Sequence, residues 1–538
     1  LSSSSRSSDR PRLARPAGLT AAATLASRIL GLVRDQVFAA RFGAGNEMDA
    51  FIVAFRIPNL VRDLFAEGVM SAAFIPTFTR HLTRDGKAAA WRFANNALNA
   101  LLIVTLALVG FGVLFARPLV TLYAGDYASV PGKLELTIDL TRVMLPFLTA
   151  VVVAAVAMGM LNSLRHYFLP ALSPAMFNVA MIVGAFALVP AMPALGLPAI
   201  MGMGIAALVG AIGQVLIQLP PLWREGFRYR PLLDPRDAAL RDVLMLMGPG
   251  TIGLAATQVN LFVGTLLATS QGTGAASWLS YAFRLTYLPI GLFGVSIATA
   301  VVPAVSRHAA LNDLAGMRAT VSRGLTMMLM LNVPATLGLL ALARPIVEVL
   351  FEHGRFTPAD SQATAAALRL YAVGLLGYSA ARIASPTFYA LGRSRTAIAV
   401  SVGAIAGNAV LSILFVALFG FRGLALATAL AALGNGGLLV LLLREPLDGL
   451  EGSRLARGLA RITAAAAAMA LAAWTIETAT GVWWPGDQLP MRATRLAAAI
   501  GGGLAVLGAA ARLLRIEEFG EALRVVKGRL TRDRSAAM

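Results

Sequence analysis

Ten arginines stand within, or at the ends of, stretches that are otherwise too apolar for water: Arg28, Arg34, Arg56, Arg62, Arg117, Arg142, Arg284, Arg344, Arg369 and Arg382. A guanidinium at the middle of a bilayer costs at least about 2.5–3.5 kcal/mol on insertion scales, so it is expected to face a wet cavity or a partner. Arg117, Arg142 and Arg344 lie near stretch ends, where snorkelling to the interface explains them. Arg28 and Arg34 are six residues apart, which on a helix is about 9 Å in depth with both side chains on one broad side. Arg56 and Arg62 repeat that spacing with Pro58 between them, and a proline there frees a carbonyl and bends the helix. The acids within reach are Asp35, Asp49, Asp63 and Glu67. Pairing of Arg34 with Asp35 or Glu67, and of Arg62 with Asp63 or Glu67, would make those arginines structural. Arg28 and Arg284 have no acid at helical spacing. Surplus guanidinium in a cavity suits a phosphate or diphosphate, which it grips bidentately; a cation exporter would hold surplus carboxylate instead.

The elements that carry these residues follow from composition. Of 538 residues 57% are hydrophobic and 14% charged, with a mean hydropathy of +0.72, where a soluble domain carries about a quarter charged residues. Blocks such as Leu98–Ala116, Leu145–Leu161, Ile252–Thr269 and Ala397–Gly420 are long enough to cross a hydrocarbon core of about 30 Å. In hydrocarbon the backbone must satisfy its own hydrogen bonds, so these are read as helices. Breaks at Gly, Pro and charge clusters give fourteen segments near 17–41, 48–80, 90–117, 137–163, 168–190, 198–222, 239–269, 275–306, 318–351, 361–391, 396–420, 423–443, 455–478 and 493–514. The expected fold is an all-α polytopic membrane protein of fourteen transmembrane helices.

The net charge of +19 would suit nucleic acid, but its placement argues for a membrane. One set of loops, together with both tails, holds 30 Lys and Arg, and the opposite loops hold six, namely Arg41, Lys133, Arg355, Arg422, Arg492 and Arg495. Lys and Arg favour the cytoplasmic side. Both termini are therefore expected in the cytoplasm, and no nucleic-acid partner is expected. The sequence has no cysteine and four scattered histidines, so no disulfide or metal site is expected. No phosphate-binding P-loop or nucleophile–base pair points to an enzyme.

The chain repeats itself. Ala54-Phe55-Arg56-Ile57, followed by Leu64-Phe65, Pro76 and Arg80-His81, returns as Ala282-Phe283-Arg284-Leu285, followed by Leu292-Phe293, Pro303 and Arg307-His308; Leu161 and Asn178 return as Leu391 and Asn408. The offset separates helices 1–6 from helices 7–12, and because six is even both halves run the same way through the membrane. Such parallel repeats imply two lobes about an axis along the membrane normal. The expected division is a disordered basic tail 1–16, an N-lobe 17–224, a C-lobe 237–444, two further helices in 453–515 and a basic tail 516–538, giving two pseudo-symmetric six-helix lobes plus two C-terminal helices.

At these residues the chain resembles the MurJ (MviN) family of lipid II flippases, within the superfamily that also contains MATE exporters. The resemblance runs through Ser27-Arg28-Ile29-Leu30-Gly31-Leu32-Val33-Arg34-Asp35, Phe42-Gly43-Ala44-Gly45, Asp49-Ala50-Phe51, Phe55-Arg56-Ile57-Pro58-Asn59-Leu60, Phe65-Ala66-Glu67-Gly68, Pro249, Tyr281-Ala282-Phe283-Arg284-Leu285 and Leu350-Phe351-Glu352-His353-Gly354-Arg355-Phe356-Thr357, and covers about residues 17–515. It implies a central cationic cavity between two lobes and movement of an undecaprenyl-diphosphate-linked disaccharide pentapeptide, lipid II, from the cytoplasmic to the periplasmic leaflet. It implies substrate binding by Arg28, Arg34, Arg62 and Arg284, with Asp35, Asp49, Arg56, Glu67 and Arg382 as supporting cavity or gate positions. The polyprenyl tail would lie along helices 13 and 14. No cofactor is implied; coupling would draw on the membrane potential or a monovalent cation. Between Asp242 and Glu348 the only acid is Asp313, so no carboxylate cation site is expected in the second lobe. Expected partners are lipid II, membrane lipids and cell-wall synthesis proteins, with a monomeric chain. The rival expectations are a flippase for another lipid-linked oligosaccharide, such as O-antigen or capsule units, and a MATE-like drug exporter.

Overall fold

The computed structural model describes residues 10–63, 73–291, 295–516 and 519–520, and every regular element among them is helical. In chain order these are α1 (Arg10–Phe42), α2 (Asn46–Asp63), α3 (Ile75–Arg84), α4 (Gly86–Leu114), α5 (Ala116–Ala124), α6 (Lys133–Met144), α7 (Phe147–Ser163), α8 (Phe168–Ala187), α9 (Met201–Leu216) and α10 (Leu219–Arg224). There follow α11 (Ala238–Thr269), α12 (Ala275–Pro289), α13 (Val295–Ala310), α14 (Leu314–Phe351), α15 (Pro358–Val373), α16 (Leu375–Ala390), α17 (Ser394–Phe419), α18 (Phe421–Leu442), α19 (Gly452–Trp483) and α20 (Leu489–Leu513). The first helix thus begins inside the segment read as a basic tail.

Local chemistry sets the helix ends. The Asp237 side chain caps α11 by accepting from Ala239 N. Thr357 and Asp360 form a reciprocal capping box at the start of α15, so two orphan amide donors are satisfied at once. In α14 the helical backbone breaks at Leu342. Pro345 lies three residues on, where it lacks an N–H to donate backwards and its ring crowds the preceding turn.

Nine spans among the described residues are long and apolar enough to cross a membrane: α4, α6 with α7, α8, α9 with α10, α14, α17, α18, α19 and α20. The other five segments read from the sequence fall on α1, α2 with α3, α11, α12 with α13, and α15 with α16. Four of those five carry the deep arginines. A multi-pass membrane protein follows.

The chain forms two compact units. Unit 1 comprises Leu1–Ser277 together with His353–Phe356, and unit 2 comprises Trp278–Glu352 and Thr357–Met538. The division falls inside α12, about one helix later than the repeat boundary. A large core of unit 1 gathers Phe74, Phe78, Phe93 and Leu148 with Met160 and Leu161, and one of unit 2 gathers Met317, Val321, Ile383, Phe388 and Leu439. Within unit 1 the end of α1 meets residues 353–356 backbone to backbone. Arg355 N donates to Ala40 O at 2.9 Å, and Gly43 and Gly354 both adopt φ near +60°. A side chain on either glycine would collide with the facing carbonyl.

Candidate functional site

The best-defined part of the site lies on α1 in unit 1. Arg34 folds across to the next residue, and its Nε and Nη2 donate to Asp35 Oδ1 at 3.1 and 2.9 Å. Its Nη1 donates to Asn178 Oδ1 on α8 at 2.9 Å. Asn178 Nδ2 in turn donates to Ser27 O, back on α1, at 3.0 Å. Gly31 faces this amide: a Cβ there would sit 3.6 Å from Asn178 Nδ2, an ordinary van der Waals contact. The guanidinium also lies 5.7 Å from the Phe177 ring centre and 6.0 Å from that of Phe38, within reach of cation–π attraction. Beneath it Phe38, Phe51, Phe55, Phe147 and Phe177 pack ring on ring. Arg34 is thus fixed on an aromatic floor, with 14% of its side chain still accessible.

The four arginines expected to bind substrate differ in their surroundings. Arg28, on α1, is exposed and has no hydrogen bond or ion pair among the described residues. Arg62 donates through Nε and Nη2 to Asp63 Oδ1 at 3.0 and 2.7 Å, and 37% of its side chain stays accessible. Of the alternatives open for Arg34 and Arg62, the pairs formed are those with the adjacent acids, Asp35 and Asp63. An arginine is long enough to reach the carboxylate of its immediate neighbour, so a pair forms although the two residues point about 100° apart on the helix. Arg284, half-buried on α12, belongs to unit 2.

The supporting positions also separate. Arg56 makes a long 3.5 Å contact from Nε to Thr265 Oγ1 on α11. Arg382 Nη2 donates to Tyr287 Oη at 3.4 Å; Tyr287 follows Arg284 by three residues, so both share one face of α12. Glu67 lies outside the described residues.

Asp49, at the start of α2, is fully buried, and its carboxylate accepts four hydrogen bonds. Lys133 Nζ and Gly274 N donate to Oδ2 at 2.9 and 2.7 Å. Ser277 N and Oγ donate to Oδ1 at 3.1 and 2.7 Å. Lys133, one of the six basic residues of the opposite loops, has a side chain only 1% accessible, and its ammonium stands 4.0 Å over the Tyr127 ring. Asp49 thereby ties α2 to α6 and to the first turn of α12 inside unit 1.

Sequence reasoning missed Lys133, Ser277 and the role of Asn178 as a holder of Arg34. The one signal available was an asparagine inside an apolar span, which must find partners there.

Comparison with known proteins settles the family. A family model described as lipid II flippase MurJ matches residues 38–494. The chain belongs to the MurJ family. Among its MurJ relatives, one from Bdellovibrio bacteriovorus, named "Probable lipid II flippase MurJ", is 36% identical over 473 residues, spanning 87% of this chain and 89% of the relative. Another from Burkholderia cenocepacia, "Lipid II flippase MurJ", is 34% identical over 78% of this chain and 82% of its own length. A solved MurJ in an inward closed conformation superposes with a TM-score of 0.74 at 25% identity, covering 92% of this chain and 99% of that one. An inward-facing MATE transporter shares the fold, with a TM-score of 0.65 at 18% identity over 79% of this chain and 96% of that one. MurJ proteins are transporters, which sets this chain apart from catalysts and agrees with the expectation that it is not an enzyme.

Proposed function

We propose that this MurJ protein flips lipid II, carrying the undecaprenyl-diphosphate-linked disaccharide pentapeptide from the cytoplasmic to the periplasmic leaflet of the inner membrane for peptidoglycan synthesis. Membership of the family supports the substrate. The observation that carries the chemistry is the set of arginines on helices that otherwise belong in a bilayer. In this reading Arg28, Arg34 and Arg62 take the diphosphate in unit 1 and Arg284 does so in unit 2, with Arg56 and Arg382 adding positive potential. Arg34 is the preorganised member: Asp35 and Asn178 fix its guanidinium before the anion arrives, so little ordering remains to be done on binding. Arg62 and Asp63 can part when a diphosphate offers the guanidinium a doubly charged partner.

The proposed cycle is alternating access. Substrate charge offsets the mutual repulsion of the arginines and permits closure on the cytoplasmic side, driven by the membrane potential or a monovalent cation, while the polyprenyl tail stays in lipid along α19 and α20. Both termini face the cytoplasm in this reading, and cell-wall synthesis proteins are its expected partners. The test is complementation of a strain depleted of its lipid II flippase, read together with a leaflet-accessibility assay for labelled precursor. The wild-type chain should restore growth and outer-leaflet precursor. Normal flipping by both Arg28→Ala and Arg284→Ala would remove the proposed binding site; rescue of O-antigen or capsule export alone would reassign the substrate.

A further inference from the structure

The segment between α10 and α11 is not a loose connector. Residues 226–237 run as an irregular strap along the start of α4, and three buried asparagines of that helix hold its backbone. Asn95 Oδ1 accepts from Arg230 N at 2.8 Å, and its Nδ2 donates to Arg228 O at 3.1 Å. Asn99 Nδ2 donates to Arg230 O and Leu232 O at 2.8 and 3.0 Å, and its Oδ1 accepts from Tyr229 Oη at 2.6 Å. Asn96 Oδ1 accepts from Asp234 N at 2.7 Å, and its Nδ2 donates to Asp234 O and to Asp237 Oδ2 at 3.0 and 3.1 Å. The strap enters over Trp91, whose ring lies 5.4 Å from that of Phe227. Such clamping fixes the path of the strap's backbone.

The strap and the end of α10 that leads into it are basic and aromatic. Arg224, Arg228, Arg230 and Arg236 are exposed, as is Arg92 beside them on α4. Trp223 is 51% exposed and Tyr229 54%. The nearby acids are largely taken. Glu225 is held by Lys87 Nζ at 2.8 Å and His166 Nε2 at 2.9 Å. Asp85 is held by His81 at 2.7 Å. Asp234 accepts from Arg236 N at 3.0 Å, and Asp237 caps α11; Asp242 alone has no partner among the described residues. Arg92, Arg224, Arg230 and Arg236 have no ion pair among the described residues, while Arg228 Nη1 donates to the Trp223 and Phe227 carbonyls.

Depth follows from length. The 29 residues of α4 span about 43 Å, against about 30 Å of hydrocarbon. The apolar block of this helix begins at Leu98. Asn95, Asn96 and Asn99 stand at that edge of the apolar block, which places the strap that they hold at the level of the lipid headgroups. There an indole and a phenol are at home, and each basic residue adds attraction to an anionic leaflet.

We propose that the strap, together with the end of α10 and Arg92 on α4, is a docking surface for the phosphodiester headgroups of anionic phospholipids: the guanidinium groups of Arg92, Arg224, Arg230 and Arg236 bind the phosphates, and Trp223 and Tyr229 seat the glycerol and upper acyl region. Its function is to moor this end of unit 1 to one leaflet, independently of the transported substrate. The test uses the full chain purified in a neutral detergent and titrated with phosphatidylglycerol or phosphatidylcholine, with bound lipid read by native mass spectrometry. Wild type should retain phosphatidylglycerol at least tenfold better than phosphatidylcholine. The set R92Q/R224Q/R230Q/R236Q should lose most of that preference, and the charge-conserving set R92K/R224K/R230K/R236K should keep it within about threefold. A comparison set in unit 2, R307Q/R323Q/R395Q/R444Q, should stay within twofold of wild type. Equal loss in both glutamine sets would reduce the effect to overall charge, and an unchanged preference in the strap set would overturn the proposal. If the fourfold variant does not accumulate, R224Q/R230Q and R92Q/R236Q are read separately against the same criteria.

Discussion

Unit 1 contains two ion pairs that answer different physical problems. Lys133 and Asp49 are both 1% accessible, and the carboxylate has no capacity left after Lys133, Gly274 and Ser277 have bonded to it. Arg34 and Asp35 retain 14% and 8% accessibility, and the arginine is shared with a neutral amide. A charge wholly consumed by its neighbours holds helices together and has nothing to give a ligand. A charge that keeps some exposure, and shares its bonding with a neutral group, can exchange part of that bonding for an incoming anion. Depth in the membrane alone does not tell these cases apart; the number and kind of partners do.

That contrast is broken most severely at the buried pair. Asp49→Ala or Lys133→Met should destabilise the fold by about 3–5 kcal/mol, because each leaves the other charge buried without its counter-ion. Thermal unfolding in detergent measures this, and Asp49→Leu combined with Lys133→Met should recover much of the loss. Next in size, Asn178→Ala removes the acceptor for Arg34 Nη1 and should cost about 1–3 kcal/mol. It should also weaken lipid II flipping while leaving the chain inserted, and Asn178→Gln should restore part of the flipping. A surface pair gives a smaller effect: Glu225→Gln should change stability by about 0–1 kcal/mol.

The Glu225 case has a definite pH sign. Hydrogen bonding from Lys87, then from His166, holds the Glu225 carboxyl below its usual range. A depressed acid contributes stability above its unfolded pKa and loses it as pH falls through the folded one. The Glu225→Gln difference should therefore be present at neutral pH and vanish on acidification below the ordinary carboxylate range, as comparison of melting temperatures at the two pH values checks. Smallest of all in stability is Arg28→Ala, which breaks no bond among the described residues and should leave the melting temperature unchanged, yet abolish flipping in the leaflet assay. A fall in melting temperature with flipping intact would place Arg28 on the structural side of the comparison.

Much of this was legible in the sequence, for reasons that particular residues make plain. The apolar blocks at Leu98–Ala116 and Ala397–Gly420 announce spans because hydrocarbon admits few alternatives. The arginines of α1 and α2 stand out against the same background. Partner choice was less legible. Asp49 and Lys133 are 84 residues apart, and Arg34 and Asn178 are 144 apart; no local periodicity reports such pairings. Arg62 found Asp63, one of the two acids weighed for it. Asn95, Asn96 and Asn99 sit together at the entry to an apolar helix, which is a readable sign of backbone to be satisfied, but which backbone it would be is decided only by the path of residues 226–237.

The placement of His353–Phe356 in unit 1 limits how this protein can be dissected. Those four residues follow one long helix of unit 2 and precede another, yet they complete the packing at the end of α1 through Gly43, Gly354 and the Arg355–Ala40 hydrogen bond. Neither unit corresponds to an unbroken stretch of chain. A gene fragment stopping at Ser277 would encode a unit with one wall missing, so the two units are not modules that recombination or truncation could separate cleanly.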